Sequence, residues 1–381
     1  MSDTRALSVV MRDLINRLDH VRPADLSALA VSELVQSGIA EEAIVWIVDH
    51  GFTHFSDLSG GRAPIGLGET PAGQVAISAI PLVQDARAYL PLSRRGQVIG
   101  VLEVSPAAEG VIDELTPVAT TITTSLLATI HISDVVDRHQ GSGALSLPAT
   151  IQKRNLPLSA YADDQVDVGS FLEPAYEVAG DAIDYAINPE GVHLAIFDAV
   201  GHGLRSTILT TLALSTYRLL RRQNASLEET ARAVDDVVAT SGRPGDFVTG
   251  VIAMIRPREN ELEFWNAGHQ SPLLLRDRSH RFLASDPPGL PFGLRHDGNG
   301  HSTVPSQPGD VIFLYSDGVT QARDPHRTMW GETHLAEAAL ARNNAGQSMS
   351  HICRTVLDDV MSWTANPLAD DASIVGLRRV S

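Results

Sequence analysis

Val192-His-Leu-Ala-Ile-Phe-Asp-Ala-Val-Gly-His-Gly203 is the segment that says most about the architecture of this chain. Its first six residues are mainly apolar and predict a buried strand, which Asp198 follows at once. The Gly201-His-Gly203 turn comes next, and apolar residues at helical spacing begin at Leu204. A strand, an acid, a glycine turn and a helix in this order would place one carboxylate on the rim of a sheet.

Three other aspartates border apolar stretches in a similar way. Asp317 follows one buried strand, Asp370 stands just before the last strand, and Asp181 comes directly after a glycine. Carboxylates at strand ends converge on one rim, where a rigid backbone can hold hard oxygen ligands around Mg²⁺ or Mn²⁺. Aspartates also form turns and cap helices, so the spacing alone leaves ordinary turn chemistry open as the alternative.

The rest of the second half predicts elements that would surround these acids. The pattern indicates a hairpin over 247–266, an amphipathic helix over 349–360 and a strand over 372–377. Two prolines within 147–157 indicate a linker, with a domain boundary near residue 145.

The first half has a mixed pattern that predicts an α+β domain. The predicted elements are helices at 6–18 and 25–35 and strands at 43–48, 87–92 and 98–104. Apolar positions from Ile112 to Val136 then predict one long connecting helix.

The composition restricts the class of protein. The 381 residues are enough for two domains, and their net charge of −17 is spread over two acidic halves, which disfavours a nucleic-acid surface. Cys353 is the single cysteine, which excludes a disulfide within the chain and a cysteine-based zinc cluster. Because the sequence shows neither a signal-peptide pattern nor an apolar stretch of spanning length, we expect a cytoplasmic protein without membrane partners.

Six short blocks combine the acids with glycines and follow one another in a fixed order. They are Glu177-Val-Ala-Gly-Asp181 with Asp184, Phe197-Asp-Ala-Val-Gly-His-Gly203, Asn266-Ala-Gly-His-Gln-Ser-Pro272, Pro288-Gly-Leu-Pro-Phe-Gly293, Gly309-Asp-Val-Ile-Phe-Leu-Tyr-Ser-Asp-Gly-Val-Thr320 and Asp370-Asp-Ala-Ser373. On these blocks, residues 147–379 resemble the SpoIIE/RsbU-type branch of the metal-dependent PPM (protein phosphatase 2C-like) serine/threonine phosphatases.

The resemblance implies an α-β-β-α sandwich with two Mn²⁺ or Mg²⁺ ions in a cleft at one edge of its sheets. By motif, Asp198 would bridge both ions and Ala199 would contribute its backbone carbonyl. Asp317 and Asp370 would hold the second ion, and Asp181 would serve the first. A water between the ions would then attack the phosphorus of a phosphoserine or phosphothreonine.

Three residues near these motifs are open to more than one interpretation, and a fourth departs from the usual pattern. His202 and His269 are candidates for the general acid that protonates the leaving serine oxygen, or else they form loop hydrogen bonds. Asp371 is a second ligand or, as we favour, a partner to the site. Ala179 stands where relatives commonly have glycine, and no counterpart of the phosphate-gripping arginine of eukaryotic relatives is evident.

Residues 20–138 resemble a GAF sensor domain, with a PAS domain as the alternative. The resemblance depends on Tyr89-Leu-Pro-Leu92 and Ile99-Gly-Val-Leu102 on either side of an Arg-Gly turn. It predicts a domain that senses an unknown small ligand or serves as a dimerisation scaffold. The long helix would pair with its copy in a homodimer and carry a signal to the metal site.

The resulting prediction has three parts. A GAF-like sensor or dimerisation domain occupies 1–138, a helical linker 139–157, and a PPM-type phosphatase domain 158–381. Sensor-phosphatases of this branch usually act on a phosphorylated STAS-domain anti-anti-sigma factor, which the resemblance makes the expected substrate and partner. The alternative is a catalytically silent partner-binding protein of the same fold, whereas a two-metal nuclease is disfavoured by the acidity of both halves.

Overall fold

The structure is a computed structural model in which two compact units are distinct. It describes residues 12–49, 53–68, 70–107, 110–130, 132–140, 146–174, 180–295, 298–364 and 368–381. The division falls between Met1–Ala144 and Leu145–Ser381. In the described residues, no helix is both long and apolar enough to cross a membrane.

The first unit contains one antiparallel sheet with helices on both faces. Its helices are α1 (12–20), α2 (Leu26–Gln36), α3 (Pro71–Ser78), α4 (Val111–Thr129) and α5 (Val135–Gln140). Its strands, in the sheet order β3-β2-β1-β6-β5-β4, are β1 (Glu42–Val48), β2 (His54–Asp57), β3 (Ile65–Gly66), β4 (Leu82–Gln84), β5 (Arg87–Arg94) and β6 (Gln97–Ser105). Alternate β1 residues point to opposite faces, so Val45 packs toward α2 and α4 while Trp46 packs toward α3. This α+β arrangement agrees with the sequence pattern, and the GAF-like identity stays a prediction.

The prediction of one continuous helix from 112 to 136 is wrong. Helix α4 ends at Thr129, whose hydroxyl bonds back to the carbonyls of Ser125 and Leu126. A separate helix, α5, begins at Val135, and the Val135 N–H donates to the Ser133 hydroxyl over 3.3 Å. Serine and threonine hydroxyls compete for backbone partners, which favours helix ends over helix interiors.

The second unit consists of two antiparallel sheets between layers of helices. The five-stranded sheet has the order β15-β12-β11-β10-β9, and the six-stranded sheet has the order β14-β13-β16-β17-β8-β7. The strands are β7 (Ala160–Ala162), β8 (Val166–Glu173), β9 (Asp181–Asn188), β10 (Gly191–Ala199), β11 (Val248–Arg256), β12 (Glu261–Ala267), β13 (Leu273–Arg276), β14 (Ser279–Phe282), β15 (His301–Pro305), β16 (Val311–Tyr315) and β17 (Ala372–Arg379). The helices are α6 (Leu147–Asn155), α7 (Leu204–Arg222), α8 (Leu227–Ser241), α9 (Asp317–Thr320), α10 (Gly331–Asn344) and α11 (Met349–Trp363).

Two apolar layers hold these sheets and helices together. Between the sheets, Ile196 of β10 and Leu314 of β16 belong to one buried cluster. On the outer face of the five-stranded sheet, Phe197 packs with Leu214 of α7 and Val234 of α8. Because side chains alternate along β10, the same strand serves both layers, which explains why its sequence is mainly apolar.

The other outer face of the sandwich is covered by α11 and contains the single cysteine. Cys353 is fully buried, and its thiol lies 3.5 Å from the Gly169 carbonyl of β8. Burial raises the pKa of this thiol far above its usual value. The residue is therefore part of the core, as the apolar spacing of α11 indicates.

Part of the predicted linker is the helix α6. The Ser146 hydroxyl accepts the Ala149 N–H at its start, and Pro148 occupies the first turn, where a missing N–H does no harm. The helix ends at Asn155, two residues before Pro157, as expected from the extended backbone that proline imposes on the residue before it.

A buried histidine in β10 lacks hydrogen-bond partners among the described residues. His193 is 5% exposed, and within that part of the chain neither of its ring nitrogens has a partner. Burial, followed by the charge of Arg221, lowers its pKa to about 4. The folded protein therefore keeps this imidazole neutral down to about pH 4, whereas the unfolded chain binds a proton near pH 6.5.

Replacing His193 should make the second unit less sensitive to acid. The folded-state pKa lies below the unfolded value, so wild type loses stability as the pH falls from about 6.5 to 4, by about 2 kcal/mol at pH 5. We expect His193→Leu to remove this loss in urea unfolding at pH 7 and pH 5. The exposed His280 supplies the control His280→Leu, which should leave it intact. Equal acid loss in wild type and His193→Leu would contradict the prediction.

Candidate functional site

One cavity opens at the ends of the strands of the second unit. Its volume is about 310 Å³. It is lined by Asp198, Ala199, Val200, Gly201, Phe247, Thr249, Gly268, His269, Gln270, Asp317 and Asp370. Four of the five residues predicted for the metal site are therefore brought together, and no arginine or lysine is among the described residues that line the cavity.

Asp198 and Ala199 reach the cavity from the five-stranded sheet. Strand β10 continues through Ala199, two residues beyond the strand predicted from sequence. In the neighbouring strands, Thr249 of β11 and Asp181 of β9 are paired with Asp198. The rigid ladder on both sides fixes the backbone that carries the Asp198 carboxylate.

Asp317 and Asp370 reach the cavity from the six-stranded sheet. Asp317 is the first residue of α9, a single helical turn directly after β16, and its carboxylate accepts the Gln321 side-chain amide over 3.0 Å. Asp370 lies just before β17. At Gly318, a side chain would run into the Asp371 carbonyl, so only glycine allows these two segments to approach each other.

Asp181 lies behind the cavity wall instead of on it. Its side chain is 3% exposed and accepts the Ser373 hydroxyl over 2.6 Å. Its neighbour Asp371, 1% exposed, accepts the Gly180 N–H over 2.9 Å and the Gln152 amide over 2.7 Å. Asp371 thus fixes the segment that carries Asp181, which is the arrangement of a partner to the site.

The carboxylates of the site repel one another. Burial, and then Asp317, Asp370 and Asp371, raises the pKa of Asp198 to about 7. Burial and Asp370 raise the pKa of Asp317, while burial, Asp198 and Asp371 raise the pKa of Asp181 well above its usual range. Negative charge is therefore concentrated at one point at a cost in stability.

This donor set fits divalent cations that prefer oxygen. The charges that raise the pKa of Asp198 are all carboxylates, so a cation would relieve their repulsion. Among the described residues, no three Asp, Glu, His or Cys side chains are grouped closely enough to hold a metal ion by themselves. Ions here would need further oxygen ligands, which the Ala199 carbonyl and water can provide, as Mg²⁺ commonly requires.

The two histidines of the glycine turns differ in position. His202 is exposed and is not among the residues that line the cavity. His269 lines the cavity, but burial lowers its pKa to about 4, so its imidazole is neutral at pH 7 and the single N–H that it keeps is too weak an acid to protonate a leaving group. The loop hydrogen-bonding interpretation of His269 is therefore the one that its surroundings support.

Gln152 is a residue of the site region that was not identified from sequence. Its side-chain amide donates to both the Asp371 carboxylate and, over 3.0 Å, the Asp181 carbonyl.

Asp184 of the first block does not join the cavity and is held by Arg218 and Arg221 in ion pairs of 2.8 and 2.6 Å. Residues 175–179, with the Ala179 departure, lie outside the described part of the chain.

Removing the Gln152 amide should weaken the second unit. The Asp371 carboxylate would lose a buried donor, so we expect Gln152→Ala to lower the free energy of unfolding by about 1–3 kcal/mol. Gln152→Glu should be worse because it places a second carboxylate against Asp371. Urea unfolding measures both, with Arg154→Ala, an exposed change on the same helix, as control. Equal stability of Gln152→Ala and Arg154→Ala would show that the contact contributes little.

Comparisons with known proteins identify relatives of this chain. A family model described as Stage II sporulation protein E (SpoIIE) matches residues 188–380. The phosphoserine phosphatase RsbU of Bacillus subtilis (strain 168) is 21% identical over 243 residues, which cover 62% of this chain and 70% of RsbU. The phosphoserine phosphatase RsbP of the same organism is 28% identical over 187 residues, which cover 46% of this chain and 44% of RsbP.

A solved structure shows that the fold is shared. The crystal structure of the RsbU and RsbW domains of a Mycobacterium tuberculosis protein superposes with a TM-score of 0.50 at 22% identity. The match covers 57% of this chain and 60% of that one. The second unit thus has the mixed α/β fold of PP2C-like phosphatases, as the order of the sequence blocks implies.

Proposed function

The chain belongs to the SpoIIE family, and from this premise we propose that it is a metal-dependent protein serine/threonine phosphatase. The observation that carries the proposal is the convergence of Asp198, Asp317 and Asp370 from two different sheets on one open cavity. Three carboxylates held together in this way repel one another and destabilise the fold. Divalent cations bound by a phosphatase would offset this repulsion.

Each residue of the site has a distinct proposed role. Asp198 would serve both ions from the five-stranded sheet, and the Ala199 backbone carbonyl would be a further ligand. Asp317 and Asp370 would hold the second ion from the six-stranded sheet. Asp181, behind the wall, would serve the first ion through water. When bound, Mn²⁺ or Mg²⁺ would supply a nucleophile at neutral pH and neutralise charge on the phosphoryl oxygens.

The described residues that line the cavity offer no positive charge for binding a phosphorylated substrate. They include carboxylates, small residues, Phe247, Gln270 and the neutral His269, but no arginine or lysine. A phosphoryl group would therefore be attracted by the bound cations and not by the protein itself. Phosphate affinity should accordingly depend on metal occupancy.

We propose a phosphoserine or phosphothreonine of a STAS-type anti-anti-sigma factor as the substrate. Support comes from the relatives RsbU and RsbP, which are named phosphoserine phosphatases, and from the blocks that this chain shares with their branch of the family. The protein would act in the cytoplasm, together with such a partner.

The test is phosphate release by the full chain from a phosphoserine STAS-domain protein and from an aryl phosphate, with and without millimolar Mn²⁺. Metal-dependent release from both supports the proposal. Release from the aryl phosphate alone would retain the enzyme and reject this partner class. No release from either substrate by protein that binds Mn²⁺ would favour the alternative, a catalytically silent partner-binding protein.

We further propose that the first unit regulates the second, in a homodimer. Deletion of residues 1–140 leaves the second compact unit whole, including α6. If the first unit controls the site, the deletion should change the rate of phosphate release or the Mn²⁺ requirement by about fivefold or more. Unchanged rate and metal affinity would reject regulation, and a monomer in light scattering of the full chain would reject the dimer.

A further inference from the structure

The loop between β12 and β13 passes from one sheet of the sandwich to the other beside the cavity. Strand β12 belongs to the five-stranded sheet and β13 to the six-stranded sheet. Gly268, His269 and Gln270 of this loop line the cavity. None of the roles proposed above involves this loop, although it contains one of the six sequence blocks.

The loop is held in one shape by Asn266 and Gly268. The Asn266 side chain, 5% exposed, accepts the His269 N–H over 2.8 Å and donates to the His269 carbonyl over 3.1 Å. Gly268 has φ +64°, and a Cβ there would lie 2.8 Å from the ring of Pro291. The backbone conformation of His269 is therefore fixed independently of the contacts that its side chain makes.

Hydrogen bonding determines the tautomer of His269. Its Nε2 lies 3.1 Å from the Tyr315 carbonyl, which can only accept, so Nε2 must carry the proton. Its Nδ1 then has a free lone pair and accepts the Thr249 hydroxyl over 2.8 Å. Both nitrogens are engaged, and the ring spans from Thr249 to Tyr315 in a single orientation.

These two contacts belong to different sheets, and each lies next to a carboxylate of the site. Thr249 of β11 is the residue paired with Asp198 in the five-stranded sheet. Tyr315 ends β16 in the six-stranded sheet, two residues before Asp317. The imidazole is thus a rigid link between β11, the strand paired with Asp198 of β10, and β16, the strand that precedes Asp317.

We propose that His269, as the Nε2–H tautomer, is a positioning residue that sets the separation of Asp198 and Asp317 across the two sheets. The inference deepens the proposed function and depends on it only in taking these aspartates as metal ligands. The acids repel each other, so a rim without this link would relax outward. Partners of metal ligands that lie outside the ligand set typically change metal affinity about 10- to 100-fold when removed.

The first experiment tests the tautomer in metal-free protein. Long-range ¹⁵N–¹H correlation spectra of the full chain, with His269→Phe used for assignment, should show a protonated Nε2 and an unprotonated Nδ1. The opposite tautomer, or a rotating ring with averaged signals, would overturn the proposal. This readout needs neither metal nor activity, so it remains valid if the phosphatase proposal fails.

The second experiment measures Mn²⁺ binding by calorimetry. His269→Phe and Thr249→Val each break the link, and we expect the Kd for Mn²⁺ to rise by about 10- to 100-fold in the first and by about 10-fold in the second. Thr249→Ser keeps the hydroxyl and should restore the wild-type Kd. At saturating Mn²⁺, kcat for an aryl phosphate should recover while KM stays unchanged.

Controls separate the link from general damage. His280→Phe and Thr303→Val make the same chemical changes at exposed positions of β14 and β15 and should leave the Kd unaltered. Unchanged Kd in both Thr249→Val and His269→Phe would overturn the proposal. So would a kcat that stays low at saturating Mn²⁺, because it would indicate a direct role in chemistry. If wild-type protein binds no Mn²⁺, the proposed function is rejected, whereas the tautomer of His269 is judged by the spectra alone.

Discussion

Asp198→Asn should abolish metal-dependent phosphate release, with a loss of at least about 1,000-fold in kcat/KM, or about 4 kcal/mol of transition-state stabilisation. Asp198 is the acid placed between its β9 and β11 neighbours at the centre of the carboxylate cluster. An amide keeps the shape but carries no charge, so it would hold cations poorly. The measurement is the initial rate of phosphate release from an aryl phosphate at saturating Mn²⁺.

A surface change provides the matched control for this loss. Asp236→Asn removes an aspartate that is 61% exposed and, in the part of the chain that the structure describes, forms an ion pair with the exposed Arg295. We expect it to leave kcat/KM at the wild-type value, because exposed ion pairs contribute little. Near-wild-type activity in Asp198→Asn would remove Asp198 from the metal site and, with it, the main support for the proposed chemistry.

The same substitution should make the metal-free protein more stable. The pKa of Asp198 is about 7 in the folded protein against 3.8 for the free side chain, so its charge opposes folding at high pH. The charged form therefore destabilises wild type above pH 7 by about 4 kcal/mol, and this penalty fades as the pH falls toward 4. In EDTA, the stability gain of Asp198→Asn should therefore be largest at pH 8–9 and vanish near pH 4.

Saturating Mn²⁺ should narrow this difference in stability. A ligand that binds only the folded protein at 100 times its Kd stabilises it by about 2.7 kcal/mol, and wild type would receive this gain while Asp198→Asn would not. Urea unfolding at pH 8, with EDTA or Mn²⁺, measures both variants side by side. If Mn²⁺ stabilises the two equally, the ion binds elsewhere and the cavity is not the metal site.

The sequence predicted the elements that have strong local periodicity and the acids at their ends. Strand β10, the β11–β12 hairpin and helix α11 follow from apolar runs and turns that are complete within a few residues. The convergence of Asp198, Asp317 and Asp370 could be anticipated because strand ends share a rim. Helix α8 was not predicted, although Ser226 and Glu229 form a capping box, which is typical of the start of a helix.

The remainder depends on contacts between distant parts of the chain. Gln152 and Asp371 are 219 residues apart, and no local pattern shows that they meet. The position of Asp181 behind the wall depends on Ser373 in the other sheet. The role of His269 likewise requires knowing which carbonyl its ring faces. Such contacts arise from the packing of the two sheets, which local sequence does not encode.

The buried Cys353 has a practical consequence for enzymology and for probe design. It is the chain's single thiol, fully enclosed under α11 and strongly disfavoured as a thiolate. Peroxide and maleimide reagents act on accessible thiolates, so the native protein offers them almost no target. The enzyme would keep working in oxidising buffers that silence cysteine-dependent phosphatases. A cysteine introduced at an exposed position would then take up a single fluorophore without any prior removal of native thiols.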